Sequence, residues 1–126
     1  MSELLSLAIQ PGTRRTVVRV RGEIDLATAP KLRECLAGLA GDLVVDLSDV
    51  SFVDSQAIGL LLAEHHRREK IGDCLIVCGA SAMAMRTFEV TGAVKLLNLE
   101  DEAPGDPRSE PAASVSRLRP GFAARP

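Results

Sequence analysis

The sequence predicts an α/β fold built on a mixed sheet, and three observations carry that reading. Strand-like and helix-like segments alternate along the chain after an opening pair of strands. Two short, almost wholly apolar runs, Leu43 to Leu47 and Leu75 to Cys78, have the pattern of central strands covered on both faces. Between the opening strands, Gln10-Pro11-Gly12-Thr13 supplies the turn residues of a hairpin.

Taken in order, Leu4 to Ile9 and Thr16 to Arg21 are predicted strands. In the second, Val18 and Val20 alternate with Arg19 and Arg21, so one of its faces is wet. Leu26 to Leu39 changes to helical spacing, with Ala29, Leu32, Leu36 and Leu39 on one stripe and Gly38 and Gly41 at its end. After the strand Leu43–Leu47, a second helix is predicted over Ser55 to Lys70, with Ile58, Leu61 and Leu62 inward. His66, Arg67, Arg68 and Lys70 stand in its closing turns, where cations suit the helix dipole, and the cluster is expected to be a solvated helix end. Leu75 to Cys78 is the next strand, Ser81 caps a helix running to about Val90, and Val94 to Leu97 is expected to be a last short strand. Met83 is expected to pack with Phe88.

The chain has 126 residues, 46% hydrophobic and 25% charged. That length and balance suit one compact domain able to offset chain entropy by burial, and they exclude wholesale disorder. Only 2% of residues are aromatic, all of them Phe, so the core is aliphatic and stacking platforms for single-stranded nucleic acid are nearly absent. A net charge of -2 leaves no basic footprint for phosphate backbones, so no nucleic acid partner is expected. No apolar run is long enough to span a bilayer and Met1 to Gln10 lacks a secretory pattern, so the expectations are no membrane insertion and a cytoplasmic location. The composition changes near Ala103. Residues 1–102 form the expected domain, and residues 103–126, with five of the seven prolines and four arginines, are expected to be a disordered tail.

Candidates for chemistry are few. Cys74 and Cys78 are four residues apart on a predicted strand, about 13 Å, beyond disulfide reach. With Cys35 on a helix, no intramolecular disulfide is expected. His65 and His66 are adjacent on a helix, so they diverge by about 100° and read as surface or boundary residues, not metal ligands. No phosphate loop, metal signature or Ser-His-Asp order is present, so no cofactor, no metal and no catalytic residue is expected. An enzyme using Ser55 or Cys74 as nucleophile lacks a base in the sequence.

The informative segment is Asp46-Leu47-Ser48-Asp49-Val50-Ser51-Phe52-Val53-Asp54-Ser55-Gln56-Ala57-Ile58-Gly59, where a loop enters a helix. A serine in the first helical turn lies near free backbone N–H groups and the positive dipole end, a place that tolerates an added phosphate. Equally, Asp54 reads as a plain N-cap with Ser55 following it, and Asp25 as a cap for the helix after it.

Gly22-Glu23-Ile24-Asp25 followed by a helix, then Asp46-Leu47-Ser48 and Phe52-Val53-Asp54-Ser55, resembles the STAS domain of bacterial anti-sigma factor antagonists over about residues 4–100. The resemblance implies the STAS fold, a small mixed β-sheet with helices packed mainly on one face. It also implies a regulatory binding protein, not an enzyme. In such proteins the unphosphorylated form binds an anti-sigma factor with serine kinase activity and frees a sigma factor. Phosphorylation of the serine after the motif aspartate, here Ser55, switches binding off, and a phosphatase would reverse it. Carried over residue by residue, the partner-binding set is Asp25, Asp54, Ser55, Gln56, Ile58 and Gly59. Gln56 stands where similar proteins often have Ser or Thr, and Ala57 where they usually have Gly, both expected beside the phosphoacceptor. The rival within the same fold is an interaction subunit of a lipid-transport ATPase or a scaffold, with no phosphoswitch.

Overall fold

The computed structural model describes residues 4–102; the expectation for residues 103–126 lies outside them. The turn after Pro11, closed by Gly12 N–H donating to the Arg15 carbonyl at 2.9 Å, makes strands β1 (Leu5–Pro11) and β2 (Arg15–Ile24) an antiparallel hairpin with Leu5 opposite Gly22. The chain continues through α1 (Ala29–Ala37), β3 (Asp42–Val53), α2 (Ser55–Lys70), β4 (Leu75–Cys78), α3 (Ala82–Thr91), a 3-10 turn (Ala93–Lys95) and β5 (Asn98–Glu100). The five strands lie in the order of the chain, and β2 to β5 pair in parallel. The sheet is therefore mixed, as the alternation predicts.

Alternation of side chains then divides the sheet. Val18, Val20 and Ile24 of β2, Leu43, Val45 and Leu47 of β3, and Leu75 and Val77 of β4 face one side, packed with Leu32, Leu36, Leu61 and Phe88 from the three helices. Val44, Ile76 and Cys78, with Val17, form a smaller cluster on the other side. Arg19 and Arg21 are exposed, as expected of a wet face. Cys74 and Cys78 are buried, Cys35 is half-buried, and all three are free. Burial first, and the charge of Asp46 second, push the Cys78 thiol up to about 12, so it holds its proton at neutral pH.

Five expectations need correction. The first helix begins at Ala29, not Leu26, because Asp25 Oδ1 accepts from the N–H groups of Ala27 at 2.9 Å and Thr28 at 3.1 Å and folds residues 25–28 into a turn of their own. Val94 to Leu97 is not a strand: the N–H groups of Leu96 and Leu97 donate to the Ala93 carbonyl, closing a turn, and pairing starts at Asn98. Met83 is exposed while Met85 packs against the core with Phe88, since on a helix residues three apart share a face and residues five apart do not.

The third strand is much longer than Leu43–Leu47, and its register against β2 slips twice, between Arg19 and Arg21 and between Gly22 and Glu23. At each slip β3 carries one extra residue, so Ser48 with Asp49, and Ser51 with Phe52, are successive exposed pairs around buried Val50. These are β-bulges, which bend and twist a strand and re-aim its side chains. The first is held by Asp46, which is buried, pairs with Arg19 at 3.7 Å and accepts from Ser48 N–H at 2.9 Å.

Last, Arg68 is not a solvated helix end. It is only 1% exposed; its guanidinium donates to Glu64 at 2.6 Å, to the Leu36 carbonyl at 2.6 Å, and to the carbonyls of Leu39 and Gly41. Those carbonyls are at or just beyond the C-terminal end of α1, where helices leave unpaired acceptors and favour a cation. Arg68 thus fastens α1 to α2.

Candidate functional site

Parallel strands bring their C-terminal ends to one edge, and loops at that edge are where such sheets present functional groups. Ile24 lies opposite Val53, and Asp54 N–H donates to the Ile24 carbonyl at 3.2 Å. The turn that follows β2 and the helix that follows β3 therefore leave the sheet side by side, and this register brings Asp25 next to Asp54 and Ser55.

Asp54 is the N-cap of α2: extended backbone, with Oδ1 accepting from Gln56 N–H at 2.8 Å and Ala57 N–H at 3.3 Å. Two of the helix's free donors are satisfied by one carboxylate. Ser55 is the first helical residue and exposed, and its hydroxyl makes no hydrogen bond among the described residues. Asp25 is half-buried and committed to its own turn, where Thr28 Oγ1 accepts from Asp25 N–H at 2.9 Å and donates to the Glu23 carbonyl at 2.7 Å. The capping reading of Asp54 is thus correct and fixes the start of α2 at Ser55, whereas Asp25 closes the turn before α1 and does not cap that helix, whose N-cap is Thr28.

Gln56 and Gly59 are exposed on the same stretch of helix. Two residues move to different roles. Ile58 is buried in the core, so it anchors α2 and offers nothing to a partner. Ala57 is also fully buried, which leaves Gln56 alone of the two beside Ser55. Gly59 is informative because nothing among the described residues requires it: an added Cβ would meet none of their atoms within 4 Å. Glycine inside a helix costs about 0.5–1 kcal/mol relative to alanine, so its presence one turn after Ser55 leaves α2 bare where an outside surface could approach the backbone.

Two glycines act on the backbone: Gly22 of the Gly22-Glu23-Ile24-Asp25 segment and Gly79 directly after β4. Gly22 has φ +114, and a Cβ there would be 2.1 Å from the Leu4 carbonyl oxygen. Gly79 has φ +71, and a Cβ would be 2.8 Å from Asp46 Oδ1. Neither position admits a side chain. Among the described residues no group of three His, Cys, Asp or Glu is arranged to hold a metal, and no helix is long and apolar enough to cross a membrane. A hollow of about 420 Å³ lined by Leu62, His65, His66, Glu69, Lys95 and Leu96 lies beyond the middle of α2, about 15 Å along the helix from Ser55 at 1.5 Å per residue.

With this geometry in hand, comparison with known proteins is decisive. A description of the STAS domain matches residues 5–103. The chain belongs to the STAS domain family. Its sequence is similar to an anti-sigma-B factor antagonist of Bacillus subtilis strain 168, 34% identical over 91 residues that span 70% of this chain and 84% of the relative. Its structure is similar to an anti-sigma factor antagonist from Mycobacterium paratuberculosis, with TM-score 0.68 and 26% identity over 91% of this chain and 94% of the other. The phosphorylated form of the Bacillus cell fate determinant SpoIIAA shares the fold, with TM-score 0.62 and 20% identity over 90% of this chain and 100% of the other. The relatives include anti-sigma factor antagonists, and the Phe52-Val53-Asp54-Ser55 junction of this STAS domain carries the site geometry described above.

Proposed function

We propose that this STAS domain is an anti-sigma factor antagonist: unphosphorylated, it binds an anti-sigma factor that is also a serine kinase, and phosphorylation of Ser55 ends that binding. The observation that carries the reading is Ser55 itself, exposed at the first position of a capped helix with its hydroxyl unbonded. A kinase can reach it without unfolding anything. The partner's footprint takes in Asp25, Asp54, Ser55, Gln56 and Gly59, and it closes on α2 where Gly59 leaves room.

The switch follows from charge and water. A phosphate brings about -1.5 to -2 charge at neutral pH and is disruptive when placed beside a carboxylate in a surface that must lose its water. Here the carboxylate is Asp54. The helix N-terminus favours the anion locally, so the fold tolerates the modification while the docked partner does not.

The test is to incubate the protein with purified serine-kinase anti-sigma factors of its source organism and ATP, locate phosphate by mass spectrometry, and compare both forms by calorimetry. Phosphate on Ser55 and loss of binding in that form are the expected results. Equal affinity of the two forms overturns the switch.

A further inference from the structure

Beside Ser55 the sheet turns apolar side chains into solvent, and β3's second bulge is the cause. Strict alternation along β3 would turn Phe52 inward once Val50 is inward; the extra residue at the slip puts Ser51 and Phe52 outward together and returns Val53 to the core. Phe52 is 42% exposed, on the sheet face opposite the helices, whereas Phe88 is fully buried. Its neighbour in register is Glu23, and Leu4, whose carbonyl accepts from Glu23 N–H at 2.9 Å, continues the row at 52% exposed. Leu26, 71% exposed, tops the adjoining turn. Glu23 is half-buried and pairs with no cation among the described residues, while the adjacent row is neutralised by Arg21 with Asp49 at 3.7 Å.

We infer that Leu4, Phe52 and Leu26 around Glu23 form an anchoring surface for the anti-sigma factor, which covers them with apolar side chains and presents a basic group to Glu23. This rests on the reading of Ser55 above and extends its footprint from α2 round the sheet edge. The extension is continuous, because Phe52 is two residues before Asp54 and Leu26 directly follows Asp25. Aromatic residues in the centre of an interface, ringed by smaller contacts, carry a disproportionate share of binding. An unpaired acidic group among them selects a partner of opposite charge.

The experiment measures calorimetric affinity of wild type, Phe52→Ala, Leu26→Ala, Glu23→Gln and Val90→Ala for the purified serine-kinase anti-sigma factors used above. Val90 is 81% exposed at the far end of α3 and serves as the control. Circular dichroism melting confirms that each variant is folded. Phe52→Ala is expected to bind about tenfold or more weakly, Leu26→Ala severalfold weakly, and Glu23→Gln to bind more weakly with a shallower salt dependence. Val90→Ala is expected to match wild type. If wild type binds and Phe52→Ala binds equally well, or if Val90→Ala loses as much as Phe52→Ala, the anchoring surface is refuted and the Ser55 reading stands. If wild type binds none of the anti-sigma factors, both fall.

Discussion

Buried Arg68 shows how one side chain can change its meaning between sequence and structure. In the sequence it is one of several cations closing a helix; in the fold it supplies the donors that the end of α1 lacks. Replacing it by Met takes the guanidinium from the carbonyls of Leu36, Leu39 and Gly41, of which Leu36 keeps the Leu39 N–H at 3.2 Å, and from Glu64; losing one partner of a buried charged pair typically costs about 3–5 kcal/mol. Urea denaturation of Arg68→Met is expected to show a loss of that size, and a loss under about 1 kcal/mol would mean that water replaces the guanidinium. Glu64 titrates accordingly. Burial works to raise its pKa, but the hydrogen bonds and charges of Arg67 and Arg68 outweigh burial and hold it below the ordinary value. A carboxylate depressed in the folded state adds stability above its unfolded pKa of about 4.3, and that contribution disappears as pH falls through the lower folded value. Stability of wild type is therefore expected to fall more steeply below about pH 4.3 than that of Glu64→Gln; parallel acid limbs for the two would contradict the pairing. Gly59 makes the opposite kind of prediction. Because an added Cβ meets nothing, Gly59→Ala is expected to stabilise the isolated domain by about 0.5–1 kcal/mol while weakening anti-sigma factor binding, and unchanged affinity would remove Gly59 from the footprint.

Elements were legible where one principle governed them. The apolar runs of β3's first half and β4, the capped starts of α2 and α3, and the alternation in β2 are all local patterns, and the structure has them where the pattern places them. What escaped was set by partners distant in sequence. The bulges in β3 depend on its register with β2, so Ser48 to Phe52 follows no period and reads as a loop; the only trace was the Phe within the junction motif. Val94 to Leu97 is apolar enough for a strand, but Gly92, with φ +82, ends α3 and a tight turn takes up the backbone groups that a strand would pair. The site was legible in its polar residues, Asp54 and Ser55, because capping is local, whereas the inward turn of Ala57 and Ile58 follows from how α2 packs on the sheet. Gly22 links the two levels. The hairpin brings the Leu4 carbonyl against it, and both that approach and a positive φ forbid a side chain. Backbone strain alone costs about 1–3 kcal/mol, so Gly22→Ala is expected to exceed that and to separate β1 from the end of β2, seen as a lowered denaturation midpoint with early amide exchange in Leu5 to Leu7. A variant as stable as wild type would show that the hairpin end can shift to make room.

At the scale of the whole molecule, Ser55, the proposed phosphoacceptor, is at the rim of a structure that has no stake in it. The core is assembled from β2, β3 and β4 against three helices, Asp54 caps α2 whether or not Ser55 is modified, and the Ser55 side chain contributes no hydrogen bond among the described residues. A phosphate there adds repulsion from Asp54 and attraction to the helix N-terminus, two exposed effects of opposite sign and of about 0.3–1 kcal/mol each. The net change in folding stability is therefore expected to stay within about 0.5 kcal/mol, as for surface substitutions away from caps and core. For a domain of this size that corresponds to a melting temperature shift of about 4 °C or less. Differential scanning calorimetry of the unmodified protein, the Ser55 phosphoprotein and Ser55→Asp measures it directly. A fall of about 10 °C on phosphorylation would show that the modification disrupts α2 or its docking, and the switch would then be a change of conformation instead of a change in surface charge. Unchanged melting together with lost partner binding is the outcome this architecture predicts, since a rigid sheet edge can present or withhold a docking surface without any part of the fold having to move.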